Sequence, residues 1–346
     1  MTAGARVPGL GALGSLYGWA AARRRARYRA QPARARRLAR PVVSVGNLTV
    51  GGSGKTPLVI ALAAALQQAG ERPAILSRGY ARRAATGGVT VVSDREGVRA
   101  AVEASGDEPQ VMARRLPGVP VLVAASRYLA GRAAERDHGC TVHLLDDGFQ
   151  HLPLARDADL LVLSAADIRE RVLPAGRLRE PAAAAWAADA WLVGEGAPEE
   201  VAAALGPAPQ GPTPAVFTFT TRVGAPRRVV PFGEAAAVVP GNAVAVSGIA
   251  RPERFFAAAR AAGWSIAREW RFRDHHWFTE RDWRAIADAA RAAGATVLTT
   301  EKDAVRLEPL LRSGNAGVDV VYLPIDVDLP AALVRWLTGR LAERRA

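Results

Sequence analysis

Short apolar runs of four or five residues alternate with longer amphipathic segments along most of the chain, a pattern typical of an α/β protein. The runs predict strands at 42–45, 74–77, 89–92, 119–123, 141–145, 160–163 and 190–193. The segments between them predict helices, one after the first strand and others at 110–115 and 127–136. Strands that are separated by helices indicate a doubly wound, mostly parallel sheet whose ligand binds at the carboxyl ends of the strands.

A stretch rich in alanine, proline and glycine at 194–213 interrupts this alternation and suggests a boundary. The remainder has its own pattern, with strands predicted at 243–247, 296–300 and 320–323 and helices predicted at 252–262 and 280–293. We therefore predict three parts, namely an N-terminal amphipathic and basic segment (1–40), a core that carries the larger sheet (41–210) and a smaller α/β lobe (211–346).

The first 40 residues combine an apolar segment with a block of arginines. Residues 7–22 are mostly apolar or small, and as a helix they extend about 24 Å, which is short of the roughly 30 Å hydrocarbon core of a bilayer. Nine arginines follow between residues 23 and 40. This combination favours a helix that lies in a membrane interface with Tyr17 and Trp19 at the level of the headgroups. An ordinary packing helix on the surface of the core is the alternative.

Charge and cysteine content restrict the partners and the compartment. The formal net charge is +13 and no Asp or Glu occurs before Glu71, so the N-terminal region suits an anionic surface, either nucleic acid or the acidic face of a membrane. A general preference for arginine is the alternative, because 44 of the 46 basic residues are arginine; this makes the two lysines, Lys55 and Lys302, informative. The single cysteine, Cys140, excludes an internal disulfide and suits a reducing cytoplasm, and no cleavable signal peptide is expected.

The segment 42–56, VVSVGNLTVGGSGKT, places an apolar strand, a glycine-rich loop and a helix start in the order of a phosphate-binding loop (P-loop). In such a loop the glycines free backbone N–H groups, Lys55 reaches the β- and γ-phosphates, and the Thr56 hydroxyl ligates Mg²⁺. The strict pattern requires glycine where this chain has Thr49, and a glycine-rich turn without a ligand is the alternative. We predict a P-loop NTPase-like fold that binds a nucleoside triphosphate through Thr49, Val50, Gly51, Gly52, Ser53, Gly54, Lys55 and Thr56.

Two carboxylate motifs supply candidates for metal binding and proton transfer. Asp146 and Asp147 follow the predicted strand 141–145, where this type of fold holds Mg²⁺ directly or through water. Many strands also end in an Asp that caps a turn. Asp107 lies just before a predicted helix, so it is either the N-cap of that helix or a base beside a nucleophilic hydroxyl.

Two further segments carry histidine and arginine side chains that suit a functional site. In the segment 274–276, Asp-His-His, a loop histidine (His275) oriented by an acid fits better than a zinc site, which would need further ligands. Surface histidines in an aromatic turn are the alternative. The proline-bracketed loop 173–181 contains Arg179 and Glu180, and arginine suits bidentate phosphate contacts. Taken without context, this segment is simply a charged loop.

Taken together, these segments resemble the tetraacyldisaccharide 4′-kinases, the lipid A 4′-kinases of the Gram-negative envelope pathway. The matching segments occur in the family order, and they are VGNLTVGGSGKTP (45–57), LSRGY (76–80), GDEP (106–109), LDDGFQH (145–151), LPAG (173–176), LREP (178–181), DH (274–275) and TEKDA (300–304). Thr49 in place of the first loop glycine is itself typical of this family. The resemblance implies transfer of the γ-phosphoryl group of ATP, with Mg²⁺ as cofactor, to the 4′-hydroxyl of a tetraacylated glucosamine disaccharide 1-phosphate.

The same resemblance implies roles for individual residues and a location. Asp107 would be the catalytic base with His275 holding or tuning it. Asp146 and Asp147 would serve the Mg²⁺ site, with Asp147 as the direct ligand. The further residues implied to line the active site are Arg127, Arg179 and Glu180. Because the acceptor is the anionic lipid A disaccharide 1-phosphate precursor, we expect the protein at the anionic inner-leaflet surface, on the cytoplasmic face of the inner membrane, as a peripheral or monotopic protein with no nucleic-acid or protein partner.

Two other classes of function are the alternatives. A P-loop GTPase or ATPase switch at the membrane surface has no small-molecule acceptor, but guanine-binding proteins use Lys-x-Asp, whereas Lys302 here directly precedes Asp303. A non-enzymatic tether could use the arginine block to hold nucleic acid or membrane. It leaves the P-loop and the Asp146–Asp147 pair without a purpose.

Overall fold

The computed structural model describes residues 10–52, 54–84, 87–314 and 317–345. Ser53 and the first three residues of the predicted helix 7–22 therefore lie outside the described residues. The described chain forms an eight-stranded sheet, a five-stranded sheet and a two-stranded ribbon. The two larger sheets define two lobes, each with helices packed against its sheet.

The larger sheet is built from short, apolar strands that are mostly buried. They are β1 (Val42–Asn47), β2 (Pro73–Ser77), β3 (Thr90–Ser93), β4 (Val121–Val123), β5 (Val142–Asp146), β6 (Ala158–Leu163), β7 (Ala190–Val193) and β8 (Ala215–Thr218). Their order across the sheet is β3-β4-β2-β5-β1-β6-β7-β8, and every neighbouring pair is parallel except β3 with β4. The predicted doubly wound, mostly parallel sheet is confirmed. Because strands are added on both sides of β1, the loops after β1 and β5 open into one crevice at the carboxyl edge.

Seven helices of the described chain precede residue 210. They are α1 (Leu10–Ala30), α2 (Lys55–Gln68), α3 (Val102–Ser105), α4 (Asp107–Arg115), α5 (Arg127–His138), α6 (Ala165–Ile168) and α7 (Pro198–Leu205). The apolar side chains Leu58, Leu62 and Leu66 of α2 are buried in one core with Val43 and Val45 of β1. This packing fixes the start of α2 at the carboxyl end of β1, where the P-loop lies.

The second lobe has a smaller sheet of the same kind. After β8, the remaining elements in chain order are β9 (Thr220–Val223), β10 (Arg227–Arg228), β11 (Asn242–Ser247), α8 (Pro252–Ala261), β12 (Ser265–Arg271), α9 (Glu280–Ala292), β13 (Thr296–Thr300), α10 (Glu301–Ser313), β14 (Val320–Leu323), β15 (Ile325–Asp328) and α11 (Ala331–Arg345). The sheet order is β10-β14-β13-β11-β12, parallel except for β10. Helix α10 packs against α4, so the second lobe is docked beside the start of α4.

The boundary predicted at residue 210 does not coincide with the end of the larger sheet. Strand β8 lies after that position and pairs with β7. Helix α11 also returns to the first lobe, where Leu333, Leu337 and Leu341 are buried in the same core as α2. The chain therefore crosses between the lobes twice, at β9 and at β15, and these two crossing strands pair with each other. The predicted division into 41–210 and 211–346 is therefore corrected, because β8 and α11 belong to the first lobe.

Helix α1 is longer at its C-terminal end than the predicted helix 7–22, because it continues through the first arginines to Ala30. Its buried residues are Gly14, Gly18 and Arg25. The large apolar side chains Leu13, Leu16, Tyr17 and Trp19 are exposed instead. Among the helices in the described ranges, none combines the length and the apolar character that a membrane span requires.

Candidate active site

The P-loop connects β1 to α2 and presents the start of that helix. Helix α2 begins at Lys55, and Gly54 before it has a φ of 73°, a left-handed conformation that suits glycine. No side chain in the described residues caps this helix end, so the N–H groups of its first turn are available to an anion. Gly51 and Gly52 are exposed in the loop, and Thr56 is buried in the first turn of α2. The geometry of these five residues is that of a phosphate cradle.

Thr49 and Val50 have protein partners for their polar groups. The Thr49 hydroxyl donates to Asp167 Oδ1 at 3.3 Å. The N–H of Val50 donates to the carbonyl of Arg177 at 2.8 Å, and the Arg177 guanidinium donates back to the carbonyl of Val50 at 2.8 Å. These contacts brace the entry to the loop, and the cradle begins with the glycine that follows. Nucleotide binding by Thr49 and Val50 stays a prediction.

Lys55 and Asp147 join the P-loop to the end of β5. The Lys55 ammonium donates to Asn47 Oδ1 at 2.7 Å and lies 3.2 Å from Asp147 Oδ1. The Arg179 guanidinium is 2.6 Å from the other oxygen of Asp147, Oδ2. Burial raises the pKa of Asp147, but the charges of Lys55 and Arg179 outweigh it, so the pKa is lowered and the group stays a carboxylate. Asn47, which sequence reasoning did not select, orients the lysine.

Asp146 differs from its neighbour in both partner and protonation. Its side chain is buried and accepts a hydrogen bond from the Ser77 hydroxyl at 3.0 Å. Burial, with the nearby charges of Glu108 and Asp147, raises the pKa of Asp146 to about 7. The two adjacent carboxyl groups therefore have different surroundings. Asp147 faces the cations of the P-loop, whereas Asp146 is held inside the sheet edge.

Asp107 is the first residue of α4, and Gly106 with a φ of 88° occupies the N-cap position. Asp107 Oδ2 lies 2.9 Å from His275 Nδ1 and 3.1 Å from Arg306 Nη1, while Oδ1 accepts the N–H of Glu108 at 2.8 Å. Burial raises the pKa of Asp107, but the hydrogen bond from His275 and the charges of Lys302 and Arg306 lower it to about 2. The structure thus does not give Asp107 the N-cap role, and it supplies the ionised carboxylate that a base requires.

His275 reaches Asp107 from the second lobe. It has a φ of 56°, an uncommon conformation for a residue other than glycine, and its backbone N–H donates to Gly248. Burial lowers the pKa of His275, but the hydrogen bond and charge of Asp107 and the charge of Asp274 outweigh it, so the pKa is raised. The acid-oriented loop histidine expected from the sequence is present, and its partner is Asp107.

Lys302, the second of the two lysines, pairs with Glu108 across the lobes. Burial lowers the pKa of Lys302, but Glu108 and Asp107 outweigh it, so the pKa is raised and the group stays protonated. Sequence reasoning singled out this residue but assigned it no role. Arg306, four residues further along α10, carried no sequence signal at all.

Arg127 lies near the pair of carboxyl groups at the end of β5. Its side chain is buried, and burial lowers its pKa to about 10 against the opposing charges of Asp146 and Asp147. The charge of Glu108, next to Asp107, in turn acts on Asp146. Asp146, Asp147, Arg127 and Arg179 therefore lie around Lys55, and Gly106, next to Asp107, packs against Gly79 and Tyr80 just after β2, at the same carboxyl edge of the sheet.

Glu180 lies apart from the cluster around Asp147. Both of its carboxylate oxygens accept hydrogen bonds from Arg25 of α1, at 2.6 and 2.7 Å, and the pair is buried. Arg25 also donates to the carbonyl of Phe149 at 3.0 Å and lies over the Phe149 ring. Glu180 thus holds α1 to the loop that carries Arg179. A contact between Glu180 and a substrate stays a prediction.

Replacing Arg25 with Ala is expected to lower the free energy of unfolding by about 3–5 kcal/mol, because it leaves the Glu180 carboxylate buried without a partner. Urea unfolding in detergent measures the change. Arg29→Ala, on the same helix but exposed, is the matched control. A change for Arg25→Ala no larger than that of the control contradicts the structural role of the pair.

Comparisons with known proteins agree with this site. The family described as "Tetraacyldisaccharide-1-P 4'-kinase" matches residues 8–342. A tetraacyldisaccharide 4'-kinase of Anaeromyxobacter dehalogenans (strain 2CP-1) is 42% identical over 289 residues, which cover 81% of this chain and 76% of that protein. One of Geobacter metallireducens is 39% identical over 298 residues, which cover 84% and 85%.

A solved structure has the same overall fold. The crystal structure of the "apo" form of LpxK from Aquifex aeolicus in complex with ATP has a TM-score of 0.76 and 31% identity, over 95% of this chain and 97% of that chain. The resemblance noted in the sequence is confirmed by these matches. Because the family match extends over nearly the whole chain, this protein belongs to the tetraacyldisaccharide-1-phosphate 4′-kinase family.

Proposed function

We propose that this kinase transfers the γ-phosphoryl group of ATP to the 4′-hydroxyl of a tetraacylated glucosamine disaccharide 1-phosphate, with Asp107 as the base. The observation that carries the proposal is that the P-loop lysine contacts Asp147 at the end of β5, while Asp107 begins α4 beside the loop that follows β2, at the same edge of the sheet. The P-loop would hold the nucleotide, Arg179 would hold Asp147 in place, and Asp107 would accept the proton of the acceptor hydroxyl. The relatives carry the name of this activity, and the similar solved structure is described with ATP.

The P-loop and the end of β5 together offer side chains that fit a magnesium ion. The Asp147 carboxylate and the Thr56 hydroxyl are oxygen ligands of the kind that Mg²⁺ prefers, and Asp147 stays ionised because of Lys55 and Arg179. Among the described residues no group of three or more His, Cys, Asp or Glu side chains is placed to cage a metal. A Mg²⁺ ion here would therefore take one or two protein oxygens and complete its shell with phosphate and water, and it would offset the charge of the transferred group.

The nucleotide-switch alternative has no support at the segment 300–303. Lys302 pairs with Glu108, and Asp303 Oδ2 accepts the N–H of Gly248 at 3.0 Å. Lys302 is thus committed to the contact between the lobes, and Asp303 is committed to contacts within the second lobe. Neither is placed to bind a guanine base, which agrees with the family assignment as an ATP-dependent kinase.

The exposed face of α1 supports a location at a membrane surface. Leu13, Leu16 and Trp19 are 55–62% exposed, and arginines occupy the following turns of the same helix. Apolar side chains next to a basic cluster suit the interface of an anionic leaflet. We propose that α1 lies in the inner leaflet of the inner membrane and brings the crevice to a lipid acceptor at the cytoplasmic face.

Replacing Leu13, Leu16 and Trp19 together with Ser is expected to weaken binding to phosphatidylglycerol vesicles at least about tenfold, because each side chain contributes roughly 1.5–3 kcal/mol when it is buried in apolar surroundings. Vesicle flotation measures binding. Transfer of label from ATP to the disaccharide acceptor should fall when the acceptor is in those vesicles and persist when it is in detergent micelles. Val239→Ser, an 83% exposed site on the second lobe, is the control. Equal flotation of the triple variant and the wild type contradicts the proposed location, and no transfer by either enzyme contradicts the reaction.

A further inference from the structure

Arg306 places a buried guanidinium from the second lobe against the carboxylate of the first lobe. It lies on α10, its side chain is 1% exposed, and Nη1 is 3.1 Å from Asp107 Oδ2. Nη2 pairs with Asp303 Oδ1 and donates to the carbonyl of Gly248 at 3.0 Å. The Asp303 carboxylate is itself fixed by the Thr300 hydroxyl. The guanidinium is therefore held through Nη2, and Nη1 forms an ion pair with Asp107 Oδ2 but makes no hydrogen bond within the described residues.

We propose that Arg306 is a positioning residue for phosphoryl transfer, which fixes Asp107 Oδ2 so that Oδ1 faces the acceptor hydroxyl. The inference rests on the proposed role of Asp107 as the base. Oδ2 has two side-chain neighbours, the His275 imidazole and the Arg306 guanidinium, whereas Oδ1 accepts only the N–H of Glu108 among the described residues. A carboxylate oxygen can accept two hydrogen bonds, so Oδ1 keeps one acceptor position for the substrate.

The surroundings of Asp107 show why orientation is the property that Arg306 supplies. The charged groups that face it are Glu108 from α4, Asp274 and His275 from the loop after β12, and Lys302, Asp303 and Arg306 from α10. Asp303 alone would neutralise Arg306, and Lys302 with His275 already favours ionisation of Asp107. The ion pair between Arg306 and Asp107 therefore adds little to the balance of charge at either group. Because Asp303 and the Gly248 carbonyl hold Nη2, the rigid planar guanidinium keeps Nη1 at a fixed place beside Oδ2, which a flexible lysine does not do.

The reaction needs this direction more than it needs a strong base. In the transfer, the acceptor O–H bond breaks, its oxygen bonds to the γ-phosphorus, and the bond from that phosphorus to the bridging oxygen of ADP breaks. The proton passes to Asp107 Oδ1. The transition state is loose, so the nucleophile needs placement and a late acceptor for its proton. A carboxylate of low basicity can serve if it is held in line.

Arg306→Gln and Arg306→Lys in the full-length enzyme test the proposal. We expect Gln to lower kcat about 10- to 100-fold, because misplacement of a catalytic group by about 1 Å costs on that order, with the KM for ATP within about threefold of the wild type. Lys keeps the charge without the fork, so we expect an intermediate kcat. Rates are expressed per ATP-binding site, so unfolded protein does not contribute. Arg312→Gln, on the same helix and paired with Glu308, is the matched control.

The outcomes separate this inference from the proposed function. If Arg306→Gln keeps the kcat of the wild type while Asp107→Asn is inactive, the positioning role is overturned and the base assignment stands. If Asp107→Asn is as active as the wild type, the base assignment fails. A third outcome is that Arg306→Gln and Arg306→Lys lower kcat equally and also raise the KM for ATP. This outcome indicates a structural effect on the whole crevice and also overturns the proposal.

Discussion

Replacing Lys55 with Met is expected to lower kcat about 10²- to 10³-fold, the loss that follows removal of one preorganised donor from a developing negative charge. Lys55 is held by Asn47 at 2.7 Å and lies 3.2 Å from Asp147, so it is aligned before the nucleotide binds. Its removal also leaves Asp147 with Arg179 as its remaining charged partner in the described crevice. Steady-state transfer from labelled ATP to the disaccharide acceptor in detergent measures the effect.

Lys55→Arg is the informative companion to this variant. It keeps the positive charge but replaces a compact ammonium with a planar group that cannot occupy the same position between Asn47 and Asp147. We expect its kcat to be reduced as well, though less than that of Met. A kcat within threefold of the wild type for Lys55→Met means that the P-loop lysine does not act on the transferred phosphoryl group.

Replacing Asp107 with Asn is expected to lower kcat about 10²- to 10⁴-fold with little change in ATP affinity, because a positioned base contributes rate enhancement on that order and the P-loop is intact. Turnover is measured with the acceptor in detergent, and ATP affinity is measured separately by equilibrium binding. Glu103→Gln, four residues earlier and outside the carboxylate cluster, is the matched control. Unchanged turnover with normal ATP binding removes Asp107 as the base.

The pH dependence of this effect has a defined sign. The pKa of Asp107 is lowered to about 2, so the carboxylate is ionised throughout the range in which the enzyme is assayed. The favourable contribution of the ionised group to stability is present above its ordinary pKa and is lost as the pH falls towards the lowered value. An acid limb in kcat near neutral pH therefore belongs to another group. The groups beside this carboxylate that can account for it are Asp146, whose pKa is raised to about 7, and His275, whose pKa is raised above its ordinary value.

The parts of the fold that could be predicted from the sequence are those determined by the local sequence pattern. Strand β1, the P-loop and α2 follow from an apolar run, glycines and a helical spacing of leucines, and their positions agree with the structure. The predicted boundary at residue 210 differs from the structure. The composition of this segment indicates a loop, but it does not indicate to which sheet the next strand belongs. Strand β8 joins the first sheet through pairing with β7, a contact that no local pattern encodes.

The candidate site shows the same division. The carboxylates and the P-loop lysine are recognisable because each ends a strand or begins a helix. Arg25 and Arg306 could not be recognised, because the chain has 46 basic residues and nothing local distinguishes these two arginines. They stand out only through their partners, Glu180 and Asp107, which are distant in the sequence. The sequence signals for Lys302 were the rarity of lysine and the family-like segment 300–304. Its partner, Glu108, became known only from the docking of α10 beside α4.

The most direct measurement of the central claim is the fate of labelled γ-phosphate when the wild-type enzyme is given ATP, Mg²⁺ and the disaccharide acceptor in detergent. The account predicts that the label appears on the 4′-position of the lipid, that this transfer stops when EDTA removes the metal, and that little inorganic phosphate is released without acceptor. Label that appears only as inorganic phosphate, at a rate that the acceptor does not change, contradicts the account and supports a nucleotide switch.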